Sequence, residues 1–145
     1  MPQVQRSALV PYTPFQMFDL VRDVKHYPEF LPWITGTEIY QDQETYQHAA
    51  ILVSIAGVRQ KIATKNELIP GELLRLNLAE GPFKRFSGEW LFGDLGIGCR
   101  VELSLGFEFD SPVLVAAFSR GFVSVANRMV DDFCRRAERL YASDG

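Results

Sequence analysis

Few residues in this chain have the types and spacing that covalent chemistry needs. Its two histidines, His26 and His48, are isolated from each other and from any cysteine pair, too few for a zinc site. Asp131 and Asp132 are adjacent, but neighbours on a helix point about 100° apart, so they read as part of a solvated face. Glu38, Tyr40 and His48 are the titratable groups that the strand pattern turns inward, and a cyclase would need such a group held in a cavity. Residues of these types are more often satisfied or rim groups. There is no HExxH, nucleophile elbow or glycine-rich phosphate loop. Cys99 and Cys134 form no CxxC and read as small buried side chains in a reducing cytoplasm. The expectation is no catalytic residue and no metal.

Two other constellations suit binding. The aromatic set Trp33, Phe83, Phe86, Trp90, Phe107, Phe118 and Phe122 could line an apolar pocket, and plain core accounts for each of them singly just as well. The basic set Arg59, Lys61, Lys65, Lys84 and Arg85, with Arg120, Arg128, Arg135 and Arg139, could touch RNA phosphates. The interleaved acids Glu67, Glu89 and Asp131 fit a mixed solvated surface instead.

The elements that must position these residues follow from periodicity. Thr13-Pro14-Phe15-Gln16 is a capping box opening a short helix to about Val24. Two prolines, Pro28 and Pro32, then bracket Tyr27–Trp33, leaving room for at most one more helical turn. From Trp33 to Asp110 the chain reads as about six strands divided by turn signals. The clearest is the last, where Val101, Leu103, Leu105, Phe107 and Phe109 alternate with polar residues. Gly36, Ala50, Ser54, Thr64 and Gly88 fall within these strands and either leave a cavity or mark where the sheet curls. Ser111–Ala142 reads as one helix of roughly 45 Å, with a stripe from Phe118 through Phe122, Val125, Ala126, Met129, Phe133 and Ala137 to Leu140. Its first half, Val113–Val123, is more apolar than one packing face needs. Gly121 within it implies close packing or a hinge.

The order strand, helices, strand meander, long helix gives an α+β fold: a curved antiparallel sheet wrapped around the C-terminal helix. With 145 residues, 47% of them hydrophobic, the expectation is one domain, 1–145, with a real core. A net charge of −3 and a pI near 5.4 exclude coating of DNA by bulk charge. No signal peptide or membrane span is visible, so the chain is expected in the cytoplasm with only peripheral membrane contact.

The segments Tyr27-Pro28-Glu29-Phe30-Leu31-Pro32 and Gly81-Pro82-Phe83-Lys84, with Gly88, Trp90 and Phe107-Glu108-Phe109, resemble the coenzyme Q-binding START-domain family. The likeness runs nearly end to end. It implies a helix-grip START-like fold with a deep apolar cavity between sheet and C-terminal helix, and it connects the chain with ubiquinone binding and respiration. The start of the chain, Arg6 and Ala8–Tyr12, looks closer to the bacterial branch named for ribosome-association toxins, which implies binding of the large ribosomal subunit so that the subunits fail to join.

On this basis the expected function is non-enzymatic binding of a polyprenyl quinone, ubiquinone by resemblance, or another apolar small molecule by the seven aromatics above. Ubiquinone enters as a bound ligand, not as a cofactor. Tyr27, Pro28, Phe30, Leu31 and Pro32 are expected at the cavity mouth. The alternative is the ribosome-binding toxin, with Lys84 and Arg85 in contact with the large ribosomal subunit. A polyketide cyclase-like enzyme ranks third.

Overall fold

The computed structural model of the protein describes residues 3–142. Seven strands form one antiparallel sheet: β1 (Gln3–Val10), β2 (Ile34–Asp42), β3 (Tyr46–Ile55), β4 (Val58–Ile69), β5 (Leu73–Glu80), β6 (Phe83–Asp94) and β7 (Cys99–Phe109). Their order is β1-β7-β6-β5-β4-β3-β2. Short turns make β2 to β7 a meander, as antiparallel neighbours require. The β3–β4 turn places Ala56 and Gly57 at φ of 53° and 78°, the backbone that a two-residue hairpin needs. β1 returns to pair with β7, Val4 opposite Leu105 and Val10 opposite Cys99.

The helix α1 (Pro14–Arg22) begins as its sequence dictates. Thr13 Oγ1 accepts from the Gln16 amide at 3.1 Å while Gln16 Oε1 accepts from the Thr13 amide at 2.9 Å. A 3₁₀ turn, Val24–Glu29, follows and carries Pro28. At the end of α1, Arg22 reaches Asp42 Oδ1 at 3.0 Å and the Gln43 carbonyl at 2.5 Å, fastening the helix to the β2–β3 turn.

The C-terminal element is not the single helix that periodicity predicts. It divides into α2 (Pro112–Ala117) and α3 (Ser119–Tyr141), with Phe118 between them at φ −123° and ψ −32°. Neither Gly nor Pro stands at the break. Phe118 is fully buried, its ring 5.6 Å from Phe109 and 5.7 Å from Phe122, and burying such a ring contributes ~1.5–3 kcal/mol, enough to offset the lost helical bonds. Ser111 Oγ caps α2 by accepting from the Val113 amide at 3.2 Å. No residue of α2 is buried; Val113 and Val115 are 72% and 54% exposed, so the surplus apolar surface of this half faces solvent.

α3 lies across β1 and β7, and α1 packs beside it. Phe122, Val125, Ala126, Val130, Phe133 and Ala137 are buried beneath it. Leu140, placed on this stripe by spacing, is exposed instead. Gly121 is explained by close packing: a Cβ there would lie 2.4 Å from Ile55 Cγ2. Arg136 bonds Glu29 at 2.9 Å and sits 5.1 Å above the Phe30 ring, tying α3 to the 3₁₀ turn. Among the described residues no helix is long and apolar enough to cross a membrane.

Candidate functional site

Between the sheet and its helical cover lies a cavity of about 100 Å³. Strand alternation builds its floor, because Ala49 and Ile51 of β3 and Ile62 and Thr64 of β4 all turn inward. Small side chains are paired there, Ala49 opposite Thr64, which leaves space where larger pairs would meet. Gly88 has a related role: a Cβ would fall 2.6 Å from Leu105 Cδ2 and 2.9 Å from Leu76 Cδ1, so its absence lets these two wall residues close together. Val21, Val24, Tyr27 and Trp33 enclose one side, Phe122 and Met129 of α3 the other. The volume is well below the ~300–1,000 Å³ of ordinary ligand pockets. The deep cavity implied by resemblance is therefore a small one, open enough for a single ring.

The wall is mostly apolar, with Thr64, Tyr27 and two neighbouring amides as its polar residues. Gln47 and Asn66 face each other across β3 and β4 and are 1% and 3% exposed. Gln47 Nε2 donates to the Arg22 carbonyl at 2.8 Å, and Asn66 Nδ2 donates to Gln47 Oε1 at 2.9 Å. Asn66 Oδ1 and the indole Nε1 of Trp33 are buried with no partner. Both residues line the cavity. The polar pair was open to detection in the sequence, since inward positions of two alternating strands that read Gln47-Ala49-Ile51 and Ile62-Thr64-Asn66 interrupt an apolar face with two amides.

Of the seven aromatics expected to line a pocket, Trp33, Phe86, Trp90 and Phe122 border this cavity. Phe83, Phe107 and Phe118 do not. They pack with Phe109 in a solid cluster, Phe83 to Phe109 at 5.0 Å and Phe107 to Phe122 at 4.9 Å, beyond the point where α3 closes on β7. Of the expected mouth, only Tyr27 borders the cavity. Its hydroxyl donates to the Val21 carbonyl, and burial raises its pKa, keeping it protonated. Phe30 packs on Phe133 at 5.1 Å, Leu31 is wholly buried, and Pro28 and Pro32 are exposed.

The inward placement of Glu38, Tyr40 and His48 is also corrected. Bulges in β2 after Ile34 and after Ile39 break the alternation. Glu38 and Tyr40 are exposed, the Tyr40 ring 4.7 Å from that of His48 and its hydroxyl 2.8 Å from Glu38. Lys61 Nζ lies 2.9 Å from Glu38 Oε1. Hydrogen bonds from Lys61 and Tyr40 hold the Glu38 carboxyl below its usual range, and hydrogen bonds to Tyr40 and Glu38 raise the Lys61 ammonium. Burial pushes the Cys99 thiol up to about 11, an unreactive state at neutral pH.

The expected basic surface is split. Lys84 and Arg85 are both exposed on β6, with Arg85 3.8 Å from Glu108 and Lys84 without an acidic partner among the described residues. Arg120, Arg128 and Arg139 lie exposed on α3, also without one among the described residues. Glu67 and Glu89 are taken up by Arg75, and Asp131 by Arg6.

Residues 10–134 match the family described as polyketide cyclase / dehydrase and lipid transport. The chain belongs to this family. Within the polyketide cyclase and lipid transport family it is 42% identical over 139 residues to the ribosome association toxin RatA of Pseudomonas aeruginosa, covering 95% of this chain and 96% of that one. It is 25% identical over 144 residues to the mitochondrial coenzyme Q-binding protein COQ10 homolog B of Xenopus laevis, covering 96% of this chain and 59% of that one. The fold is shared with the crystallised Zhui aromatase/cyclase of Streptomyces sp. R1128, at a TM-score of 0.81 and 20% identity over 99% of this chain and 98% of that one.

Proposed function

We propose that this chain is a ribosome-association factor of the toxin type, acting in the cytoplasm by binding the large ribosomal subunit and hindering its joining to the small one. The observation that carries this is the 42% identity to the P. aeruginosa toxin at nearly full length, against 25% to the coenzyme Q-binding relative. It reverses the order that the sequence motifs alone suggest. The reading is non-enzymatic, because the cavity offers neutral amides, a threonine and a tyrosine whose hydroxyl is already bonded, none of which takes up a proton near neutral pH. Lys84, Arg120, Arg128 and Arg139, which have no acidic partner among the described residues, supply the means of meeting phosphates. Cosedimentation with purified large subunits across a salt series tests it. Binding should weaken steadily as salt rises; absence of cosedimentation even at low salt refutes it.

A second reading uses the interior and is compatible with the first. The cavity, walled by Trp33, Phe86, Trp90 and Phe122, would take the ring of a polyprenyl quinone or another apolar small molecule, with any tail leaving toward solvent. The exposed valines of α2 would supply peripheral contact with a bilayer. Mass spectrometry of organic extracts of the purified protein tests this; clean extracts together with no saturable uptake of added quinone count against it.

A further inference from the structure

We infer that the end of the sheet where β6 turns into β7 carries a docking groove for a segment of a partner protein whose apolar side chains are flanked by lysine or arginine. The groove, of about 810 Å³, opens between the start of α1, the β4–β5 turn and the β6–β7 turn. It shares no residue with the cavity beneath α3. Buried Phe92 lines it, and its rim carries two large apolar side chains in solvent, Phe15 at 60% and Ile97 at 92% exposure. Leu9, Ile69 and Leu95, at the same end of the sheet, are exposed beyond the groove's own lining. Exposed apolar side chains gathered in this way mark an interaction site.

The exposed rim is held in place. The Phe15 ring lies down on Gly71, where a Cβ would fall 2.9 Å from it. The Phe92 amide donates to the Glu72 carbonyl at 2.9 Å, which fastens the β4–β5 turn to β6, and the Leu95 amide donates to the Gly98 carbonyl at 2.9 Å. Asp94 Oδ1 accepts from the Gly96 amide at 2.8 Å. A groove whose walls are already fixed loses little entropy when a partner enters.

Charge selects the occupant. Glu72 and Asp94 are the charged residues of the lining, both exposed and neither with a basic partner among the described residues. Arg100, opposite Gly93 on β7, is taken up by Glu102 at 2.6 Å. Two carboxylates beside an apolar trough repel the phosphates of nucleic acid and of anionic membrane surfaces, and they attract cations. A small cationic ligand would leave Leu9, Ile69 and Leu95 uncovered, whereas a polypeptide covers the groove with its apolar anchors and the patch around it with the flanking chain. Lys84 lies eight residues from Phe92 along β6, about 26 Å of extended strand, so this end can be occupied while Lys84 and Arg85 are engaged elsewhere.

The test titrates the isotope-labelled whole chain with three capped synthetic peptides. One carries leucines at helical spacing with lysines between them, the second replaces its lysines with glutamates, and the third replaces its leucines with serines. The leucine–lysine peptide should bind saturably, about ten-fold or more tightly than either of the others, and shift the backbone amide resonances of Phe15, Gly71, Gly96 and Ile97. Ile97→Asp alters a side chain that is 92% exposed, and should weaken this binding about ten-fold with urea stability unchanged. Glu72→Lys should weaken it too and reduce its dependence on salt. Equal binding of the leucine–glutamate peptide overturns the choice of a basic partner. Equal binding of the serine–lysine peptide overturns the apolar groove and leaves only bulk attraction to a chain of net charge −3. Shifts gathered at another surface, or no saturable shift with any of the peptides, overturn the inference outright. So does self-association of the chain alone that Ile97→Asp abolishes in sedimentation, since the occupant is then a second copy.

Discussion

Replacing Gly121 with alanine sets two effects of similar size against each other. Alanine is favoured over glycine inside a helix by ~1 kcal/mol, so at an open site the change would stabilise α3. Here the new Cβ would stand 2.4 Å from Ile55 Cγ2, against ~3.5 Å for carbon atoms in contact. The shortfall is 3.5 − 2.4, or about 1.1 Å, and one side must yield. Ile55 is 7% exposed at the end of β3. Being β-branched, it cannot swing Cγ2 away without moving its other arm into the same packing. Overfilling of this kind costs ~1–3 kcal/mol, so after the ~1 kcal/mol helix gain the expected net effect is a loss of ~0–2 kcal/mol and a Tm lower by up to a few degrees. Urea unfolding at constant m-value measures it. The decisive arm is a double-mutant cycle: with Ile55→Ala in place the obstruction is gone, and Gly121→Ala should then be neutral or stabilising. An increase in stability in the wild-type background, or no coupling between the two sites, refutes the packing explanation and returns Gly121 to the role of a hinge.

Further expectations concern the two surfaces and the buried thiol. Phe122→Arg places a charge on the cavity wall at a cost of several kcal/mol unless the guanidinium reaches water; it should abolish ring uptake while leaving cosedimentation with large subunits intact, as measured on the folded fraction. Lys84→Glu with Arg85→Glu alters exposed residues only, and should weaken cosedimentation and its salt dependence without changing urea stability; unchanged cosedimentation would move the contact to Arg120, Arg128 and Arg139. Binding of a quinone ring should quench the emission of Trp33 and Trp90, which both border the cavity, and a titration with no saturable change counts against uptake. Burial lifts the Cys99 thiol from 9.0 to about 11, so the folded state holds a proton that the unfolded state releases, and stability should fall as pH rises from about 9 to 11; Cys99→Ala should flatten that part of the curve.

The elements read directly from sequence are those whose signals are local. The capping box at Thr13 and the alternation of β7 each involve side chains within a few residues, and both stand in the structure as the residue types dictate. What local reading missed depends on distant partners. The break at Phe118 has no breaker residue; its ring is instead buried against Phe109 on β7, a partner that the local sequence does not reveal. The outward turn of Glu38 follows from the bulge in β2 after Ile34, since a single misplaced residue reverses every face counted after it.

The candidate site shows the same division. Counting aromatics identified Trp33, Phe86, Trp90 and Phe122 but could not separate them from Phe83, Phe107 and Phe118, because a ring packed against rings and a ring facing a void have the same sequence. The more informative signal was the opposite one, two amides at inward strand positions. An apolar side chain in a core needs no explanation, whereas a buried amide must find partners. Gln47 finds all of its partners within the chain, through Arg22 and Asn66. Asn66 finds only one, so its carbonyl oxygen stays buried without a partner, as does the indole nitrogen of Trp33.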